Sequence, residues 1–520
     1  AYAGMAVNFN EMNSIVDVLQ LTSSYMHDRE VKQSYGSTLL RDSYKFMKRE
    51  YKQDYTKKGG KSAARLDDYL DMVVYGMSHL NEGTFDLDKL GINAEVDIAK
   101  ALDLLKRYTG VVGLGLNAFS ALNNVTVGRI QMFIEECAGE YFGFKEAAQG
   151  MKDYYSMLLH YLPEINSTNP SKENVLSFLI DRFDALEQFY EGLREKGAFK
   201  GPIGRLVRRS STLIGQNIGE HYLHCRTMLA MLHREKATIN GKEIDLLDAF
   251  EVTEVKLGEV TYNKLVYKDG TKDKKGNLLF SSSMAKESAA LKSKKDLTKS
   301  EEARLKELNR IEEYTSKYDM LIREKIDKVN SNLNGGFGTV AKGAVHKYAL
   351  GRLAMQFRQW MPAHYSRRFA GAYIDIRGID PDEDNVEIGD EGYWATSWRY
   401  ILNTVKELKN QKFVLFSQWK TLSDKERANI IRALSETGLF ILLTTLISMM
   451  GDAKDHKGFW GRRFLLYNLK RAHLDIGAAF PWITIIPNAL TILKSPMAAI
   501  NNIDNIPENN IIVNLAIQEK

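Results

Sequence analysis

Asp380, Asp382, Asp384 and Glu391, in the run IDPDEDNVEIGDEG, stand at relative positions 1, 3, 5 and 12, the spacing at which carboxylates surround calcium in a helix–loop–helix site. Asn385 occupies position 6, where glycine is usual; asparagine still tolerates a left-handed turn. Glu387 occupies position 8, where paired loops need an apolar residue. Two readings follow, a calcium loop or a solvated acidic turn, and Glu387 argues for the second. In EHYLHC (220–225), His221 and Cys225 lie one helical turn apart and can face one metal. Zinc needs three or four ligands, and no second cluster is evident, so packed histidines are the plainer reading. GLGLNA (113–118), with Glu135 downstream, has the glycine spacing of a dinucleotide fingerprint. That fingerprint needs a strand before the glycines. A charged amphipathic helix precedes these, which favours a helix break. GGKS (59–62) lacks the earlier glycine of a phosphate loop, since Tyr55 stands there. GGFGTVAK (335–342) has no downstream base or magnesium ligands for phosphoryl transfer, and reads as a joint. With no G-x-S-x-G, H-E-x-x-H or C-x-x-C either, no catalytic, cofactor or metal residue is assigned, and enzymatic activity is not expected.

The densest chemistry is in GRLAMQFRQWMPAHYSRRFAG (351–371). Leu353, Phe357 and Trp360 recur at helical spacing, and Tyr365 and Phe369 repeat it. Pro362 suits the first turn of a new helix, where its missing amide costs nothing. The expected picture is two helices meeting at a bend, rings inward and guanidinium groups at the rim. Arginine forks phosphates well, so this run competes between packing and nucleic-acid contact. Arg352, Arg358, Trp360, Arg367 and Arg368 are therefore candidates for contact with a partner or with nucleic acid. Arg205, Arg208 and Arg209 join them, from the acid-free KGAFKGPIGRLVRRS (196–210).

The elements that must position these residues are mostly helices. Only nine prolines occur in 520 residues, and Leu, Lys, Glu, Ala and Met, all good helix formers, are plentiful. Net charge is +5, too slight to demand nucleic acid. Two cysteines, Cys137 and Cys225, give no disulfide framework. The opening AYAGMAVNFNEM has neither an initiator methionine nor the basic start of a signal peptide, and reads as a processed product or part of a longer polypeptide. Four regions emerge: an N-terminal helical region (1–236), a β-ribbon or loop insertion (237–283), a charged long helix or helical hairpin (284–332) and a C-terminal helical region with apolar segments (333–520). Within the first, the spacing predicts helices over 94–108, 172–197 and 212–236. Asn240–Gly241 and Asp269–Gly270 predict tight turns of a ribbon. Ser300 before Glu301 and Glu302 predicts a helix start. Ser423 with Glu426 predicts a capping box opening a helix from Asp424 to Met450. The fold class expected is mainly α, an elongated multi-helix assembly with a small β-ribbon insertion around residues 238–282.

Two runs raise the question of lipid. Residues 437–451 and 476–493 carry no charge, yet a span needs about 20 apolar residues, and Pro481 and Pro487 interrupt the second. Transient insertion or burial against neighbouring copies fits better, with Leu439, Leu442 and Leu446 as membrane-contact candidates.

Several stretches then align in order: GLGLNAFSALNNVTVG; GEHYLHCRTMLAMLHREK followed by NGKEIDLLDAFE; AMQFRQWMPAHYSRRF; EGYWATSWRYILN; and LSDKERANIIRAL. Across roughly residues 100–500 the chain resembles the large internal virion proteins of tailed phages infecting Bacteroidota, the crAss-like phages especially. That resemblance implies a helical cargo protein lodged in the capsid or tail and ejected into the host with the genome. Its implied partners are the portal, the tail or further copies of itself, with DNA or the host membrane as possible contacts. It carries over no catalytic residue and no cofactor. The alternatives are a nucleic-acid-binding accessory of a virion polymerase and a membrane-active ejection protein.

Overall fold

A computed structural model describes residues 18, 20–25, 84–86, 95–97, 118–164, 167, 169–186, 214–294, 296–335, 360–371, 391–409, 417–450 and several between 465 and 473. The described residues are mainly α-helical with a small β insertion. The chain forms two compact units. One comprises residues 1–110, 338–358 and 495–520, and the other residues 111–337 and 359–494, which draw on all four regions of the sequence.

In the first unit, β1 (Thr84–Asp86) pairs antiparallel with β2 (Glu95–Asp97), placing Phe85 opposite Val96. The helix expected over 94–108 is therefore corrected at its start. Local two-residue alternation in Glu-Val-Asp prevails there over the longer helical stripe. The rest of that stripe, like GGKS, lies outside the described residues.

The second unit opens with α1 (Ala118–Ala138) and α2 (Phe144–Tyr161). α3 (Val175–Phe183) begins at Asn174, whose side chain accepts from the Ser177 amide. It ends at Asp184, left-handed at φ +51°; residues 187–197 of the expected helical block lie outside the described residues. α4 (Ile214–Arg234) runs against α1 and α2. It approaches α2 closely because Gly150 has no side chain: a Cβ there would sit 2.8 Å from the Ala230 amide nitrogen.

The ribbon follows. β3 (Lys236–Ile239) and β4 (Lys242–Asp245) are joined by Asn240–Gly241, at φ +52° and +80°, the backbone that a two-residue hairpin turn requires. β5 (Phe250–Leu257) and β6 (Val260–Tyr267) form a second hairpin in full register from Phe250↔Tyr267 to Leu257↔Val260. β7 (Thr271–Lys272) returns along β3. His233 ties the first hairpin to the helices, with Asp153 of α2 at 2.7 Å from one ring nitrogen and Asp245 of β4 at 2.9 Å from the other.

The charged region is two helices, α5 (Ser282–Lys292) and α6 (Lys299–Asn334). The start of α6 is corrected from Ser300 to Thr298. Its hydroxyl accepts from the Glu301 amide, while Glu301 returns a bond to the Thr298 amide. Thr298 prevails because its fourth-residue partner is a glutamate, which Ser300 lacks. Nor is α6 merely a solvated rod, since Leu308, Ile322, Ile326, Val329 and Leu333 are buried. The larger core joins α2, α3, α4, the ribbon and α6 through Tyr154, Leu179, Leu229, Phe250, Tyr267 and Ile326. A smaller one packs Val255, Val266, Phe280, Ala289 and Leu308 between the second hairpin, α5 and α6.

The remaining helices are α7 (Trp360–Phe369), α8 (Tyr393–Lys409), α9 (Ser417–Thr421) and α10 (Asp424–Met450). α10 has the bounds its sequence predicts. The Glu426 amide donates to the Ser423 hydroxyl at 3.2 Å, and the Ser423 amide donates to the Glu426 carboxylate at 2.9 Å.

Candidate functional site

α10 is amphipathic in its first half, yet its inward stripe carries charges. Ala428, Arg432, Glu436 and Leu443 are all buried on it. Arg432 meets Glu135 of α1 in a forked pair: Nε reaches one carboxylate oxygen at 2.9 Å and a terminal nitrogen the other at 2.7 Å. The same terminal nitrogen of Arg432 donates to Glu140 at 2.6 Å. Arg367 of α7 donates to Glu135 at 2.9 Å and to Gln131 at 3.2 Å. Glu135 is 1% exposed. Burial alone would raise its pKa, but Arg432 and then Arg367 outweigh that and hold it below the ordinary carboxylate value.

One turn further along α10, Glu436 is 0% exposed and accepts from three residues. Arg368 donates through Nε at 3.0 Å and a terminal nitrogen at 2.5 Å to one oxygen. Tyr393 and Trp394, at the start of α8, donate to the other at 2.7 and 2.9 Å. Burial pulls the Arg368 pKa down, yet Tyr393 and Glu436 carry it above the usual arginine value. His364, donating to or accepting at the Leu333 carbonyl end of α6 at 3.1 Å, must donate, because a carbonyl only accepts. Burial, then Arg368 and Arg367, push its pKa down to about 3. Gly392 lets α8 begin against α7, since a Cβ there would lie 2.5 Å from the Arg368 carbonyl carbon.

Both carboxylates have their oxygens engaged by cationic or neutral donors, and neither is poised as a base. The arrangement fastens α1, α7, α8 and α10 together. It also corrects the expected orientation around Pro362: Arg368 is inside and Tyr365, 67% exposed, is outside. Arg367 and Arg368 are thus spent on internal carboxylates and do not present a fork to phosphate. Arg205, Arg208, Arg209, Arg352 and Arg358 lie outside the described residues, and of Trp360 only the backbone is described.

The histidine cluster is interior. His221 lies 3.0 Å from the Tyr154 hydroxyl, and burial pushes its pKa down to about 4. Cys225 is fully buried, which pushes its thiol far above the usual range and leaves it protonated. Among the described residues no group of three or more His, Cys, Asp or Glu side chains is placed to hold a metal. Of the four spaced carboxylates in the acidic loop only Glu391 is described; it accepts from Arg399 at 2.7 Å and Thr396 at 3.0 Å. A cleft of about 610 Å³ lies beside α3, β6 and α6. Its charged walls pair with each other, Arg182 with Asp319 at 2.5 Å and Lys264 with Glu312 at 2.8 Å.

The lipid candidates divide. Leu439 packs with Ile130, Trp394, Phe440 and Leu469 around Leu443. Leu442 and Leu446 face outward with Leu434, Ile441 and Met449. A second apolar stripe is open on α8, at Trp398, Ile401, Leu402 and Val405. Neither Arg432 nor Glu436 was singled out by sequence motifs. The available signal was their position, charged residues on the same helical stripe as Ala428 and Leu443. Compared with protein-family models, curated proteins and solved structures, the chain matches none.

Proposed function

We propose that this chain is a structural cargo protein of a phage virion, lodged in the capsid or tail and ejected with the genome. The observation that carries the structural part is the contrast on α8 and α10. α10 turns Arg432 inward onto Glu135 and Glu436 inward onto Arg368, and α8 turns Tyr393 and Trp394 onto Glu436, while Trp398, Ile401, Leu402, Val405 and Ile441 remain outward. Such an allocation suits a part whose working surfaces are packing faces, since large apolar side chains in water favour association. The virion setting comes from the resemblance in the sequence. A helical build with largely sequence-local elements also suits a chain that must pass a narrow tail and refold.

The test is fractionation of gradient-purified virions. The chain is expected to stay with the particles through a wash of about 1 M salt, at which exposed charge contacts are screened. Release by that wash together with salt-sensitive DNA binding would replace this reading with the polymerase-accessory one. Absence from purified particles would end it.

A further inference from the structure

We propose that the outer face of the second half of α10 docks in the plane of an anionic phospholipid bilayer. The proposal takes its biological setting from the virion reading, and its physical basis from the helix itself. At 100° per residue, Leu434, Gly438, Ile441, Leu442, Thr445, Leu446 and Met449 fall within roughly 140° of arc. Ile441, Leu442 and Met449 are 59%, 52% and 77% exposed. The opposite side is occupied: Leu443 is buried among Ile130, Trp394 and Leu469, and Phe440 stacks on His473 with ring centroids 4.6 Å apart. The helix is apolar enough for a membrane by composition, yet only 28% of its most apolar window is buried within the protein.

Three arguments select lipid over a second copy of the chain. Residues 437–451 contain no charged side chain. Helix–helix seams are normally rimmed by charges that fix partner and register, and this face has none to do so. A bilayer needs no register. Next, residues 452–475, which follow the apolar stretch directly in sequence, carry six Lys or Arg (Lys454, Lys457, Arg462, Arg463, Lys470, Arg471) against three Asp, a net +3. Basic residues next to an apolar helix face attract anionic headgroups. Last, the length chooses the orientation. Residues 437–450 extend about 21 Å, short of the roughly 30 Å hydrocarbon core. Arg432 and Glu436 meanwhile hold the first half of α10 to Glu135 and Arg368. The second half therefore lies along the interface, apolar face down, without spanning it.

The experiment is co-flotation of the full chain with vesicles of phosphatidylcholine alone and of phosphatidylcholine with phosphatidylglycerol. Binding is expected to the anionic vesicles and to weaken strongly in the neutral ones. The double variant Leu442→Glu/Leu446→Glu should lower binding at least about tenfold, because two charges are placed in the apolar layer. Circular dichroism melting of that variant checks that the fold is kept, as both positions face outward. Equal binding to both vesicle types, or binding indifferent to the two glutamates, overturns the proposal. So does a concentration-dependent dimer that the same variant dissolves, which would assign the face to a second copy. Retention in washed virions is read separately, so either idea can fail while the other stands.

Discussion

Two neighbouring parts of the second unit cohere by opposite means. Around α2, α4, the ribbon and α6, fully buried Leu, Met, Phe and Tyr side chains make a continuous apolar core. Between α1, α7, α8 and α10, the buried apolar cluster is small and centres on Leu443, while Glu135, Arg432, Arg368 and Glu436 occupy the interior. An apolar core tolerates repacking, because dispersion and burial are not directional. A forked carboxylate–guanidinium pair accepts one geometry. The first part supplies stability; the second specifies which helix meets which, at a desolvation cost that a pair of leucines would not incur.

That contrast can be broken at Glu436. Replacing it with alanine strands Arg368 in the interior, and urea denaturation should show a loss of about 3–5 kcal/mol. The sharper variant is Arg368→Met with Glu436→Leu and Tyr393→Phe. Its stability should be unchanged or higher by about 1–4 kcal/mol, while pairing of α7 with α10, followed by cross-linking, becomes less unique. A triple variant as damaged as Glu436→Ala would show that the charges supply net stability. On the apolar side, Leu229→Ala should cost about 2–5 kcal/mol through the cavity it leaves, with no change in pH dependence.

Acid provides the next test, because each part holds a histidine whose pKa is lowered by desolvation. His364, pushed down to about 3, and His221, pushed down to about 4, are neutral when folded and take up a proton near 6.5 when unfolded. Unfolding therefore gains protons below that value, and stability falls as pH drops from 6.5 towards each folded value. Near pH 5 each should contribute a loss of about 2 kcal/mol, and His364→Gln or His221→Gln should each flatten the urea midpoint between about pH 7 and pH 5. If only one flattens it, the other part is more open to water than its burial implies. Glu135 acts lower. Its depressed pKa gives stability above the unfolded carboxylate value, lost only as pH falls below it. The smallest effects belong to the helix starts: Thr298→Ala and Ser423→Ala should each cost about 1 kcal/mol by thermal melting.

Local signals in the sequence carried far. The Asn240–Gly241 turn, the Ser423–Glu426 box and the span of α10 are set by residues within a few positions of one another, and all three are legible. The second hairpin is less so, because its turn at Gly258–Glu259 has one glycine and no Asn or Asp to mark it. The interior network is harder still. Glu135 and Arg432 lie 297 positions apart, and nothing near either announces the other. Arg367 and Arg368 read as a surface pair because arginine is most often exposed. Only the placement of α7 against α6 and α8 lets Arg367 reach Glu135 of α1 and Arg368 reach Glu436 of α10.

α6 has a mechanical consequence. Its 36 residues, at 1.5 Å each, make a rod of about 54 Å. Near one end it bears on the second hairpin through Leu308, and at the other the Leu333 carbonyl receives His364. Between those ends Ile322, Ile326 and Val329 are held in the larger core, so the rod is a brace that fixes the distance between the ribbon and the place where α7 enters the charged interior.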